Sequence, residues 1–348
     1  MPKTSARKKK YSKRSSTKKK PSNLRNILIV MVLFISSLAF LSGYLLYKDV
    51  THELASAFSF NSRDLLSKDI FTSAMITVDD FESEPLLVRG VSLYVFDKST
   101  LKLIIYEIPV ETAIDVLGRF TQEPFSNVLA IGQMEGKDLY SSSRLLADSV
   151  FRLLAFPVDR YILVNDKSEG FVSSLFTGKF SLGESDLLML KDELKTDHNV
   201  REFFSIYEFA KSLPADRILR KDVSPTYLEN PNLIDEEFMD LTFDSFLSKE
   251  MKNIAVLNGT GQTGVANFGA RVVKNFGGRV VAVGNTKQAY EESVLITDDE
   301  TSESTRLLAQ IFGIEKVILY SDALDFSESE INRSDLTIIL GIDFTASL

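Results

Sequence analysis

Few residues in this chain have the type and spacing to do chemistry, and they fall in separate places. Asp79 and Asp80 stand side by side, and Glu111 and Asp115 follow further along. Mg2+ takes carboxylate oxygens, so these acids, Asp79 and Asp80 first, are candidate metal ligands; isolated loop acids are as simply read as solvated charge. Much later, Asn258-Gly259-Thr260-Gly261-Gln262-Thr263-Gly264 places three glycines at the GxGxxG spacing. Glycines permit a tight turn and close backbone approach, and the N–H groups at a helix start attract anions. Asn258, Gly259, Thr260, Gly261 and Gly264 are therefore candidates for binding an anion or a sugar, and equally for a purely structural turn. A dinucleotide fits poorly, because Gly284-Asn285-Thr286 occupies the place where an acid is expected at the end of the next strand. There is no cysteine, so no thiol or disulfide chemistry. The two histidines, His52 and His198, lie far apart, and neither has zinc-ligand spacing.

The elements that must position these residues can be read from apolar periodicity. TSAMITV, ending at Asp79-Asp80, reads as a strand. VRGVSLYVFD and LKLIIYEIPV read as two strands joined in a hairpin by Lys98-Ser99-Thr100. Leu139 to Phe156 has helical spacing, DRYILVN after Pro157 is a short strand, and Gly170 to Phe176 and Asn199 to Leu213 are helical. That order predicts a mixed α/β layer domain over 71–230. Pro214, Pro225 and Pro231 mark an irregular return strand and a break. Residues 231–252 read as a linker containing one amphipathic helix from Leu233 to Met251. A second, small α/β domain over 253–348 reads NIAVLN strand, glycine loop, helix through Phe276, RVVAVGN strand, polar loop, helix over Thr305 to Phe312, EKVILY strand and LTIILG strand.

Ahead of both domains, Ile27 to Tyr47 is a run of 21 uncharged, mostly apolar residues. As a helix it would span roughly the 30 Å hydrocarbon core of a bilayer. Residues 1–26 carry eleven Lys and Arg and no acid. This predicts a cytoplasmic tail at 1–26, a single transmembrane helix at 27–47, a stalk at 48–70, and folded domains outside the plasma membrane. No small-residue cleavage site follows the run, so an uncleaved anchor is expected rather than a signal peptide. The basic tail suits anionic membrane lipid as a partner. Of the 40 basic residues, 29 lie after this tail, against 48 acidic ones. That balance argues against nucleic acid as a partner.

IAVLNGTGQTGVANFGARVV, GGRVVAVGN and DLTIILGIDF resemble the C-terminal domain of LytR-type envelope proteins over about 253–345. The first domain is similar in element order to the LytR-CpsA-Psr catalytic domain. That resemblance implies an anchored enzyme that moves a glycopolymer from polyprenyl pyrophosphate to peptidoglycan. Those enzymes carry Ser-Ile-Pro-Arg-Asp-Thr after a strand-turn-strand. Here Glu107-Ile108-Pro109-Val110-Glu111-Thr112 stands at that place, with Val110 for the arginine and Glu111 for the aspartate. The family's later RxxRQQ segment has no counterpart; NVREFFSIYEFAKSL offers Arg201 alone.

A diphosphate needs arginine forks, usually with a divalent cation, and valine supplies no charge. The expectation is therefore a degenerate catalytic domain serving as a binding or scaffold protein without a cofactor. Its partners would be a lipid-linked glycan, peptidoglycan or another envelope protein. The alternative is an active, divergent transferase with Glu111 and Arg144 as catalytic candidates and Mg2+ as cofactor. Arg63, Arg89, Arg119, Arg152 and Arg160 are the other arginines between the apolar run and the helix that begins at Asn199.

Overall fold

Ile70–Val78 (β1) is buried along almost its whole length because helices cover both sides of the sheet it sits in. The computed structural model describes residues 70–115, 122–179, 194–198, 200–224, 230–241, 246–323, 326 and 328–347. The tail, the apolar run and the stalk as far as residue 69 lie outside them, while Ile70, read as the end of the stalk, opens β1. Among the described residues, no helix is long and apolar enough to cross a membrane.

The first module continues with Val88–Asp97 (β2), Lys102–Ile108 (β3), Ala113–Asp115 (β4), Gln122–Pro124 (β5), Phe125–Met134 (α1) and Leu139–Leu154 (α2). Then come Arg160–Asn165 (β6), Glu169–Phe176 (α3), Leu194–Thr196 (β7), Val200–Ser212 (α4) and Ile218–Asp222 (β8). Six of these strands make one sheet in the order β7-β6-β1-β2-β3-β8, and β4 and β5 pair separately. β1 is parallel to β6, antiparallel to β2, and β3 is parallel to β8. So β1, β3, β6 and β8 all end at one edge.

Alternation divides the sheet's side chains. Ala74, Ile76, Leu93 and Val95 join Val128, Leu129, Leu146 and Val150 of α1 and α2 in one cluster. Phe71, Met75, Tyr94 and Phe96 join Val172, Leu175 and Ile206 of α3 and α4 in another. The expected layered α/β domain and the β2–β3 hairpin are present. The buried Asp97 carboxylate fixes the hairpin turn by accepting from Ser99 N at 2.9 Å and Thr100 N at 3.1 Å.

Two helices, Pro231–Leu241 (α5) and Phe246–Glu250 (α6), replace the single linker helix read from Leu233 to Met251. The second module runs Asn253–Asn258 (β9), Val265–Asn275 (α7), Arg279–Asn285 (β10), Val294–Thr297 (β11), Glu303–Ile311 (α8), Lys316–Leu319 (β12), Leu336–Leu340 (β13) and Ile342–Ser347 (α9). Its sheet has the order β10-β9-β13-β11-β12. β11 corrects the sequence reading, which left 286–304 as a polar loop. Its four residues are fully buried between β13 and β12, yet acids at Glu291-Glu292 and Asp298-Asp299 bracket a run too short to show a period. Both modules belong to one compact unit of the chain, and one apolar cluster holds residues of both.

α1 and α2 approach closely at Gly132, where an added Cβ would lie 2.5 Å from Ser142 Oγ and 3.1 Å from Ser142 Cα. We expect Gly132→Ala to destabilise the protein by about 1–3 kcal/mol despite alanine's better helix propensity. Gly170→Ala, where an added Cβ meets nothing within 4 Å, should be neutral or stabilising by up to about 1 kcal/mol. Denaturant midpoints of the two variants check the pair.

Candidate functional site

The edge where β1 and β3 end collects most of the candidate residues of the first module. Glu107, on β3, accepts hydrogen bonds from Ser92 Oγ and, at 2.7 Å, from Arg220 Nη1. The chain then turns: Thr112 N donates to Pro109 O at 3.0 Å, and Ser126 N at the start of α1 donates to Val110 O at 2.9 Å. Val110 packs against the apolar cluster beneath, while Glu111 is exposed. This turn therefore offers an aliphatic wall and a carboxylate. Asp79, after β1, is clamped by the Arg89 guanidinium, with Nη2 donating to Oδ2 at 2.7 Å. That bond holds the Asp79 carboxyl below its ordinary range. Asp80 accepts from Glu82 N at 3.3 Å in a turn. Asp166 also attracts Arg89, and Glu169 is pushed up by burial and by Asp166 and Glu107. So each of the two arginines described here, Arg89 and Arg220, already faces carboxylates. Among the described residues no three His, Asp or Glu gather closely enough to hold a metal, so Asp79 and Asp80 as arranged form no carboxylate cage.

Arg144 belongs to a different cluster. Its Nε lies 3.0 Å from Asp148 Oδ1 on the same helix, and its Nη1 lies 3.9 Å from Asp197 Oδ2. Asp197 in turn accepts Tyr161 N at 2.7 Å. Burial pushes the Asp148 carboxyl up to about 6 against the pull of Arg144, and burial also raises Asp197. Burial alone would lower Arg144, but the two aspartates outweigh it and raise it. Beside this group, Ser73 Oγ lies 2.8 Å from His198 Nε2, and His198 Nδ1 lies 3.6 Å from Glu202 Oε2. Arg160 grips Glu202 with two bonds, at 3.0 and 3.2 Å. Burial opposes ionisation of Glu202, yet its bonds and charges from His198 and Arg160 hold it down at about 2.

Ser73, His198 and Glu202 have the order of a nucleophile, base and orienter. Both Ser73 and His198 are wholly buried, at 0% exposure, so no substrate reaches them. The network was invisible in the sequence because its members lie 125 residues apart. A cleft of about 20 Å³ lined by Phe71, Phe96, Lys98, Glu202 and Phe209 opens nearby. That is room for a water, not for a sugar or an isoprenoid chain.

In the second module the glycine turn is built from its own groups. Asn258 Oδ1 accepts from Thr260 N at 3.0 Å and Thr260 Oγ1 at 2.7 Å, while its Nδ2 donates to Gln262 O at 2.7 Å and Asn285 Oδ1 at 3.2 Å. Gly261 and Gly264 take φ of 74° and 92°, which side chains rarely adopt. At Gly259 a Cβ would lie 3.0 Å from Leu340 O and Tyr290 Cβ. In open α/β sheets a ligand sits where neighbouring strands lead away in opposite directions, beyond their carboxyl ends. Here the carboxyl ends of the neighbouring parallel strands β9 and β13 are covered by the chain itself. Tyr290 N donates to Gly259 O at 2.8 Å, Ile342 N to Tyr290 O at 2.9 Å, and Gly341 N to Ser293 Oγ at 2.9 Å. Asn258, Gly259, Thr260, Gly261 and Gly264 do come together, and the polar side chain among them that bonds most is spent on the turn.

The glycine turn after the first strand of a small mixed sheet, closed by a strand-turn-helix carrying Asp343, defines a LytR-type C-terminal module. Residues 253–344 match the family described as "LytR cell envelope-related transcriptional attenuator", so the second module is a LytR C-terminal domain. No curated protein matches the chain in sequence. Among solved structures it is similar to B. subtilis TagV, at 10% identity, 49% of this chain, 97% of that one and a TM-score of 0.36. It is similar also to B. subtilis TagT (15%, 50%, 91%, 0.35) and to "TagT bound to LIIa-WTA" (13%, 44%, 79%, 0.33). These proteins are of the LytR-CpsA-Psr family, and likeness at this level says nothing of activity.

Two outcomes are expected. A carboxyl whose folded value lies near 6 binds a proton in the fold that the unfolded chain has released, so its contribution to stability falls as pH rises from about 4 to 6. Asp148→Asn should remove that slope, gaining up to about 3 kcal/mol on the wild type between pH 4 and pH 7. Urea unfolding at both pH values measures it. Asn258→Ala should cost about 1–3 kcal/mol by leaving the turn's N–H and C=O groups without partners, which thermal unfolding will show.

Proposed function

We propose that the chain is a membrane-anchored, extracytoplasmic envelope protein whose first module binds or scaffolds rather than transfers glycopolymer. The observation that carries this reading is the edge at β3. Val110 packs on the core where a diphosphate-gripping guanidinium would be needed, and the arginines that edge does hold, Arg89 and Arg220, are paired with Asp79 and Glu107. A departing diphosphate develops charge that fixed cations must meet, and here it would meet carboxylates.

Packing supports the same reading. Val128, Leu129, Leu146 and Val150 are at 0% exposure in one cluster with Ile76 and Leu93. Side chains lining an open tunnel for an isoprenoid chain would be accessible, and these are close-packed. The basic leader and the apolar run after it support a single-pass plasma-membrane anchor with the N-terminus in the cytoplasm. Membrane lipid is then one partner. A lipid-linked glycan, peptidoglycan or another envelope protein is the other, and nucleic acid is not.

Incubating the full chain and Mg2+ with a polyprenyl-pyrophosphate glycan and peptidoglycan should yield no phosphodiester-linked product above background. Transfer that disappears in Glu111→Gln or Arg144→Ala would overturn the reading. Protease treatment of intact cells should digest both modules; their survival would refute the orientation.

A further inference from the structure

The strongest unassigned feature is where the two modules meet. A helix leaves its last carbonyls without partners inside the helix. α2 closes on Ala155, which takes the left-handed conformation at φ 48° and donates its N–H to Phe151 O at 2.7 Å. The next carbonyls are met from the other module. Arg271 Nη1, on α7, donates to Leu153 O at 3.0 Å. Asn275 Nδ2, one turn later, lies 3.3 Å from Leu154 O and 3.2 Å from Ala155 O.

Asp235 of α5 ties the pair together, accepting from Arg271 Nε at 2.6 Å and Asn275 Nδ2 at 3.0 Å. Asn275 and Asp235 are buried, so neither can fall back on water. Around them the rings interleave. Phe156 of the first module is stacked between Phe238 of the linker helix (centroids 4.4 Å apart, 11° between planes) and Phe276 of the second module (4.9 Å, 10°). Phe151 meets Phe268 edge to face at 5.2 Å.

A flexibly tethered module needs neither of these features. Separation would leave buried carbonyls and a buried carboxylate without partners and would open five aromatic rings to water. We propose that the LytR C-terminal module acts in this chain as an intramolecular docking partner. It caps α2 through Arg271 and Asn275, so that both modules fold and move as one body.

The chain has no cysteine, so labels can be placed at will. Met134, 80% exposed on the first module, and Glu315, exposed on the second, are suitable sites. Spin labels on full-length M134C/E315C should give one narrow distance distribution, and calorimetry of the unlabelled wild type one unfolding transition. Adding R271A/N275A should broaden the distribution and lower the midpoint by on the order of 5–10 °C. A broad distribution or two transitions without those substitutions would overturn the proposal. So would an R271A/N275A protein with distribution and midpoint unchanged. If that double variant does not fold, the distribution in M134C/E315C alone decides, and N275A alone supplies the milder perturbation.

Discussion

Three carbonyl groups at the end of α2 set the terms for much of this protein. They are the last acceptors of a helix whose other face packs on the first sheet, and their donors come from another module. Burying the Arg271–Asp235 pair costs desolvation, and its mutual attraction offsets this only if the remaining donors find acceptors. Arg271 Nη1 finds Leu153 O and Asn275 Nδ2 finds Leu154 O and Ala155 O, while Arg271 Nη2 stays buried without an acceptor. An apolar replacement of similar volume would bury as much area. It would not fix the angle at which α7 meets α2, whereas directional bonds do.

In the first module, charge is managed by pairing within the protein. The strand-turn-strand and the helices on both faces of the sheet are in place. Cations are present as well, but they pair within the protein: Arg89 with Asp79, Arg220 with Glu107, Arg160 with Glu202, Arg144 with Asp148. A guanidinium bound to a carboxylate is a structural clamp. Offering it to a phosphate would mean breaking a charge-assisted bond and leaving an acid behind.

Much of the architecture was legible because buried strands and amphipathic helices print their periods on the sequence. β1, β2, β3 and β6, helices α2 and α4, and the β9–α7–β10 start of the second module all appeared this way. What stayed hidden had no period to print. α1 is apolar nearly all round, β7 has three residues, and β11 has four between acids. The site was less legible than the fold. That Val110 carries no charge was plain in the sequence, but which arginines are already paired is not written in one dimension. Arg144 looked as available as Arg89 in the sequence. His198 looked like a lone histidine, and only the fold set Ser73 and Glu202 on either side of it.

The segment from Thr286 to Ser293 lies across the carboxyl ends of β9 and β13 and fills the hollow that open sheets of this kind leave vacant. Chain, not open space, thus covers the second module on that side. Whatever it touches there is met by relief, by Gln262 and Gln288 standing out from the turn, and not by enclosure. One-sided contact releases quickly.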